Sequence, residues 1–103
     1  MLLNIVKRPQ ADRDIEECFV FIAEGDLDAG VRFLVAVESS MEELSRFPKL
    51  GKRRDGRIER WDSLRIWPVR GFYRYLLFYI ISEDQIELVR VLHSSRDINT
   101  IFE

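Results

Sequence analysis

The first half of the chain carries apolar residues at the spacing of helices. A short apolar run, Leu2–Val6, suits a strand, and Pro9 follows it at a position typical of the first turn of a helix. From Ala11 the apolar residues recur every three or four positions, with charged residues between them, until Gly25. This stretch therefore predicts one short strand and then an amphipathic helix.

A second helix is predicted directly after the first one. Asp26 is a candidate N-cap, and the apolar spacing resumes at Leu27 and continues until Pro48 closes the helix. Only residues 24–26 link the two helices, and so short a link folds them into an antiparallel hairpin. The wide apolar faces of this hairpin need a sheet to cover.

The second half of the chain predicts that sheet. Three runs rich in aromatic and β-branched residues, at 64–70, 72–81 and 86–92, are separated by short turns, which predicts an antiparallel meander. Pro68 lies inside the first run and has no N–H to donate, so it fits an edge strand or a bulge. The spacing of apolar residues at 98–102 predicts one short helical turn after the sheet.

Together these elements predict an α+β fold in the order β-α-α-β-β-β. An N-terminal helical hairpin packs on one face of a small, mainly antiparallel sheet, and a short C-terminal helix follows. A chain of 103 residues is too short for two separate hydrophobic cores. Residues 1–103 are therefore expected to form a single domain.

Charge is distributed unevenly, although the formal net charge is only -2. Between residues 46 and 74 ten side chains are basic and three are acidic, which leaves the remainder of the chain strongly acidic. A basic segment of this kind is typical of proteins with an anionic partner, either nucleic acid or an acidic peptide. A solvated loop that only keeps the protein soluble is the competing interpretation.

Composition excludes several classes of protein. Cys18 is the single cysteine, so there is no disulfide framework and no spacing for zinc or iron-sulfur ligands, and we expect neither a metal site nor a cofactor. The N-terminus lacks the pattern of a secretory signal, and no apolar segment is long enough to span a membrane. We expect a cytoplasmic protein without a membrane partner.

Arg90 is a candidate for a structural role within the last strand. It is predicted to share one strand face with three aliphatic residues, Ile86, Leu88 and Leu92. Because an unpaired charge is costly among aliphatic neighbours, Asp97 or Asp62 is expected to pair with it.

His93, the single histidine, ends the last predicted strand. A histidine near arginines has the chemistry to act as general acid or base in cleaving RNA through its 2'-hydroxyl, with the arginines stabilising the developing phosphorane charge. A histidine at a strand end more often holds the next loop by hydrogen bonds. Tyr73, Tyr75 and Tyr79 alternate along one strand, which is typical of packing.

The segment 64–98 carries a series of short landmarks in a fixed order. They are Leu64-Arg65, Pro68-Val69, Gly71-Phe72, Phe78-Tyr79, Arg90-Val91-Leu92-His93 and Arg96-Asp97. In order, spacing and identity this segment resembles the C-terminal half of the ParE branch of the RelE/ParE toxins. The first half of the chain agrees with those toxins in organisation only.

The resemblance implies the toxin of a bacterial type II toxin-antitoxin pair, held inactive by a cognate ParD-like antitoxin. Toxins of the ParE branch act on DNA gyrase and catalyse nothing, which implies gyrase as the target, growth inhibition and a role in plasmid stabilisation. Toxins of the RelE branch share the fold but cleave mRNA on the ribosome. A degenerate toxin that binds only its antitoxin is a third interpretation, and direct binding to nucleic acid stays open.

One departure from the ribonuclease branch favours gyrase inhibition. Where those toxins place a tyrosine near the C-terminus, this sequence has Phe102, which has no proton to give. If the protein is a ribonuclease, His93 and Arg65 are its candidate catalytic residues. The candidate contacts to target or antitoxin are Arg53, Arg54, Arg57, Arg65, Arg70, Arg74, His93 and Arg96, and the candidate structural residues are Arg90 and Asp97.

Overall fold

The computed structural model describes residues 2–54 and 63–102. Its elements are β1 (Asn4–Lys7), α1 (Pro9–Gly25), α2 (Leu27–Arg46), a 3-10 turn (Pro48–Leu50), β2 (Lys52–Arg53), β3 (Arg65–Val69), β4 (Phe72–Ile81), β5 (Gln85–His93) and α3 (Ile98–Ile101). The predicted α+β fold and helical hairpin are confirmed. The sequence does not predict β2, because two basic residues carry no strand pattern. None of the helices in the described ranges is long and apolar enough to cross a membrane.

The five strands form one sheet in the order β1-β5-β4-β3-β2. Neighbouring strands are antiparallel except for β1, which lies parallel to β5. The mainly antiparallel arrangement is therefore confirmed. Because the first strand lies beside the last one, the helical hairpin that follows β1 returns across the sheet over β5 and its neighbours.

Asp26 closes α1 and opens α2. Its backbone N–H donates to the carbonyl oxygen of Ile22 at 3.0 Å, and its side chain accepts from the N–H of Ala29 at 3.2 Å. One residue thus satisfies end groups of both helices, and the predicted N-cap is confirmed.

The sheet is covered on both faces. The hairpin packs on one face over a buried cluster that includes Phe33, Met41, Leu77, Leu88 and Val91. On the other face α3 and the residue after it complete a smaller cluster of Leu64, Phe78, Val89, Leu92 and Phe102. The short C-terminal helix therefore has a packing role that its length alone does not suggest.

The alternation of side chains between the two faces of the sheet is interrupted part of the way along β5. Opposite β4 the register shifts so that Val89 is an extra residue, a β-bulge. Around it, Leu88 and Val91 lie in the cluster under the hairpin, whereas Val89 and Leu92 lie in the α3 cluster. The prediction that Arg90 shares one face with Ile86, Leu88 and Leu92 is wrong, because simple alternation fails at the bulge.

Pro68 occupies an irregular part of β3. The register between β3 and β4 shifts between Pro68 and Val69, and β2 pairs only with Arg65 and Ile66. Pro68 therefore lies beyond the end of β2, where it faces no strand that would need its missing N–H. The prediction of an edge or bulge position is confirmed.

Candidate functional site

A buried carboxylate on α1 fastens the last strand. Asp14 is only 3% exposed, and it accepts from Arg90 Nε at 2.7 Å, from Arg90 Nη2 at 3.1 Å and from the backbone N–H of Val91 at 3.0 Å. Gln10 Nε2 donates to the same carboxylate at 3.0 Å. A charge that is costly to bury alone is thus paired and hydrogen-bonded, and it ties α1 to β5.

This contact corrects the predicted partner of Arg90. Asp97, one of the two expected partners, instead caps α3, where it accepts from the backbone N–H of Thr100 at 3.3 Å and from the Thr100 hydroxyl at 2.7 Å. These two hydrogen bonds lower the pKa of Asp97. Asp62, the other expected partner, lies outside the described residues.

His93 holds the turn that follows β5. The N–H of Ser95 donates to His93 Nδ1 at 3.0 Å, and Ser95 Oγ lies 2.8 Å from the same nitrogen. Because Nδ1 accepts a backbone proton, we assign the proton of a neutral His93 to Nε2. On its other side the ring packs nearly perpendicular to Tyr75, with 4.9 Å between the centroids. These hydrogen bonds agree with the interpretation that a histidine at a strand end holds the next loop.

His93 also lines a cleft between α1 and the end of β5. The cleft has a volume of about 340 Å³, and its walls include Cys18, Phe21, Tyr75, His93 and Arg96. Phe21 lies at its rim and is strongly exposed. The cleft therefore combines an apolar wall with one histidine, one exposed cation and two carboxylates.

The cysteine and tyrosine of this cleft are protonated at neutral pH. Burial raises the pKa of the Cys18 thiol to about 11, and the carboxylates of Asp14 and Glu17 add to this, while Arg96 opposes it. Burial also raises the pKa of Tyr75. Neither group is an activated nucleophile. Across the described residues, no three His, Cys, Asp or Glu side chains are grouped to hold a metal ion.

The turn between α2 and β2 is fixed from the inside of the molecule. Tyr79 Oη donates to the carbonyl oxygen of Pro48 at 2.6 Å and accepts from the N–H of Gly51 at 2.9 Å. Arg65 Nη1 donates to the carbonyl oxygen of Gly51 at 2.7 Å and lies 3.4 Å from that of Lys49. Burial raises the pKa of Tyr79, so its hydroxyl remains a donor. We call residues 46–53 the basic turn.

The two residues proposed for RNA cleavage do not meet. Arg65 lies opposite Tyr79 on β4, whereas His93 lies opposite Tyr75 on the same strand. Four residues along β4 and two strand spacings separate them, which is roughly 16 Å between their backbones. Phe102, the aromatic residue near the C-terminus, lies in the cluster on the opposite face of the sheet.

Three further predicted contact residues lie in three different places. Arg54 Nη2 donates to Asn99 Oδ1 at 2.5 Å, and its guanidinium lies 5.4 Å from the centre of the Phe102 ring. Arg70, at the turn between β3 and β4, lies 3.4 Å from Glu43. Arg74 is exposed near the start of β4.

The remaining predicted contacts complete this scattered picture. Arg53 is exposed in β2, Arg96 lines the cleft of His93, and Arg57 lies outside the described residues. The basic segment of the sequence therefore does not form one continuous strip in the described part of the chain. It divides into the basic turn and separate positions around the sheet.

The role of Asp14 is not predicted from the sequence, although a signal for it exists. The residue lies in a run of charged side chains that suggests a solvated helix face. It also lies three positions after Ala11 and four before Cys18, which is the spacing of the buried stripe. A carboxylate on that stripe needs a partner, and the position therefore points to a buried ion pair.

Comparison with known proteins gives one family. The family model described as the ParE toxin of type II toxin-antitoxin system, parDE, matches residues 5–98. A solved structure of the chromosomal ParDE TA system from P. aeruginosa is similar with a TM-score of 0.69 at 9% identity, covering 89% of this chain and 96% of that chain.

A second solved structure is also similar. It is the conserved hypothetical protein HP0894 from Helicobacter pylori, with a TM-score of 0.59 at 17% identity, covering 92% of this chain and 98% of that chain. At these identities both likenesses concern the fold alone. No curated protein sequence matches the chain.

Proposed function

The chain belongs to the ParE toxins of type II toxin-antitoxin systems, and from that membership we propose that it acts by binding DNA gyrase. In this proposal the toxin traps gyrase with cleaved DNA and catalyses nothing itself. A cognate antitoxin of the ParD kind covers it until the antitoxin is lost. The single domain, residues 1–103, acts in the cytoplasm, where gyrase and its DNA are found.

The separation of His93 from Arg65 is the observation that carries this proposal. Cleavage through a 2'-hydroxyl needs an acid or base and a charge-stabilising cation at the same phosphate. Here roughly 16 Å separates the backbones of the two residues. The Arg65 guanidinium is also occupied by the carbonyl oxygen of Gly51. A toxin built this way is better suited to binding a target than to cutting RNA.

A supercoiling assay with gyrase tests the proposal. The toxin is purified, freed from its antitoxin and added to gyrase and relaxed plasmid, and we expect lost supercoiling together with accumulated linear DNA. His93→Gln is the informative variant, because glutamine keeps a hydrogen-bonding group near Ser95 but transfers no proton. Inhibition by this variant should stay within about threefold of wild type. Full gyrase activity at excess toxin would contradict the proposal.

Cleavage of mRNA on the ribosome is a second candidate, favoured by the contents of the cleft. His93, Tyr75 and Arg96 line it together, and histidine and arginine are groups that RNA cleavage uses. If this candidate is correct, His93→Gln should abolish cleavage of ribosome-bound mRNA, whereas the gyrase proposal expects the same variant to stay active. Wild-type cleavage with undisturbed gyrase would select this candidate. A toxin active in neither assay that still binds its antitoxin would be the degenerate form.

A further inference from the structure

The basic turn presents cations and apolar side chains on one surface. Arg46, Lys49 and Lys52 are exposed, and Phe47 and Leu50 are 62% and 40% exposed. Five of its residues, Arg46, Phe47, Pro48, Lys49 and Leu50, line one shallow depression of about 390 Å³. Apolar side chains rimmed by charged ones are a feature of protein interaction sites, and Phe47 and Leu50 would gain free energy if a partner removed them from water.

Three cations of this surface have no carboxylate partner in the described part of the chain. Among the described residues, no carboxylate lies within ion-pair distance of Arg46, Lys49 or Lys52. The nearby Glu43 is engaged elsewhere, since it accepts from Trp67 Nε1 at 3.3 Å and from Arg70 Nη1 at 3.4 Å. The charge is therefore available to an anionic partner.

The basic turn is held in place before any partner arrives. The side chains of Tyr79 and Arg65 form hydrogen bonds with three of its backbone groups. These are the carbonyl oxygen of Pro48 and the N–H and carbonyl oxygen of Gly51. Tyr79 is fully buried. A surface fixed in this way loses little conformational entropy on binding, and this favours recognition of a flexible segment.

We propose that the basic turn docks an acidic segment of a protein partner, with apolar side chains of that segment against Phe47 and Leu50. Carboxylates complement Lys49 and Lys52. Leu50 favours a peptide over a nucleic acid, because a base can stack on Phe47 but offers no aliphatic side chain to Leu50. The inference rests on the proposed function only for the identity of the partner, which is then the antitoxin. It deepens that proposal by naming the surface and the chemistry of the segment.

Fluorescence anisotropy with three labelled probes tests the inference. The first probe is a peptide of about twelve residues that alternates Glu with Leu, the second has Ser at every Leu, and the third is single-stranded DNA of similar charge. We expect wild-type toxin to bind the Glu-Leu peptide most tightly at low salt. Lys49→Glu with Lys52→Glu should weaken that binding about tenfold or more.

Matched variants separate the surface from the net charge. Arg13→Glu with Arg32→Glu makes the same change in charge on exposed helix positions and should leave peptide binding within about twofold. Phe47→Ser should remove the preference for Leu over Ser in the probes, whereas Tyr73→Ser, at another exposed aromatic residue, should keep it. Amide shifts of the wild-type toxin on adding the Glu-Leu peptide should concentrate at residues 46–53, which needs no variant to fold.

Several results would overturn the inference. In the first three, the Glu-Leu peptide fails to bind, both charge-reversal pairs lose the same affinity for it, or its amide shifts centre outside residues 46–53. In the fourth, DNA binds more tightly than the peptide, with an affinity that Phe47→Ser does not change. The last result would assign the turn to nucleic acid. The gyrase assay is independent of all of these, because it uses toxin without a bound peptide. A toxin that blocks gyrase but ignores the peptide keeps the proposed function and loses this inference.

Discussion

Arg90 and Arg65 are both strand arginines with their guanidinium groups hydrogen-bonded inside the fold, yet their partners differ in kind. Arg90 donates to the carboxylate of Asp14, which is 3% exposed, at 2.7 and 3.1 Å. Arg65 donates to backbone carbonyls, chiefly that of Gly51 at 2.7 Å. The first contact joins α1 to β5, and the second joins the sheet to a surface turn.

The difference lies in what remains when each arginine is removed. Without Arg90 the carboxylate of Asp14 stays buried and loses its opposite charge, which is strongly destabilising. Without Arg65 the carbonyls near the surface can accept hydrogen bonds from water instead. The Arg90 contact is therefore expected to support the fold, whereas the Arg65 contact chiefly fixes the shape of the basic turn.

Replacing Arg90 should have the largest effect on stability. We expect Arg90→Ala to lower the free energy of unfolding by about 3 kcal/mol, because it leaves Asp14 buried and unpaired. Urea unfolding followed by tryptophan fluorescence measures this. Arg74→Ala, at an exposed arginine on the adjacent strand β4, is the control and should change stability by less than about 0.5 kcal/mol. Equal unfolding midpoints for Arg90→Ala and wild type would remove the contrast between the two arginines.

Most of the fold is visible in the sequence because its signals are local. The apolar spacing, Pro9 in the first turn of α1 and the cap at Asp26 give both helices, and the run 72–81 coincides with β4. Strand β2 and the bulge at Val89 are not visible. Both depend on register with a neighbouring strand, and a register has no marker in a single segment.

The candidate site is less visible, for a related reason. Asp14 and Arg90 are 76 positions apart, and no local pattern joins them. The partners of Arg65 are backbone carbonyls, which every residue carries, so the sequence gives no indication of them. A list of basic residues therefore identifies candidates but does not say which of them are free to meet a partner.

A substitution at Gly51 tests whether the basic turn is fixed by its close packing against the sheet. A Cβ there would lie 2.5 Å from Tyr79 Oη and 2.8 Å from the carbonyl oxygen of Ile66. Gly51→Ala should therefore cost about 2 kcal/mol of stability and displace the basic turn. Gly25→Ala is the matched control, since a Cβ there meets nothing within 4 Å, and it should stabilise by up to about 1 kcal/mol. Similar melting temperatures for both variants would show that the turn is not fixed by this contact.

Arg65 itself should matter less for stability than for the order of the turn. We expect Arg65→Ala to cost about 1 kcal/mol, the scale of its hydrogen bonds. Amide hydrogen exchange should become faster at Leu50 and Gly51 while exchange in β4 and β5 changes little. A loss of stability equal to that of Arg90→Ala would contradict the proposed difference between a carboxylate partner and carbonyl partners.

Replacing Asp97 should have the smallest effect on stability, and it tests whether Asp14 is the only carboxylate that neutralises Arg90. Asp97 is exposed and caps α3 through Thr100, so Asp97→Asn should loosen α3 locally and leave the global unfolding midpoint nearly unchanged. Because the cap lowers its pKa from 3.8, its contribution is complete above the unfolded value and disappears as the pH falls through the folded one. The Thr100 amide shift should therefore titrate with a midpoint below 3.8. A titration at or above that value would contradict the cap through Thr100. A destabilisation by Asp97→Asn that matches that of Asp14→Asn would mean that Asp97 also supports the core through Arg90.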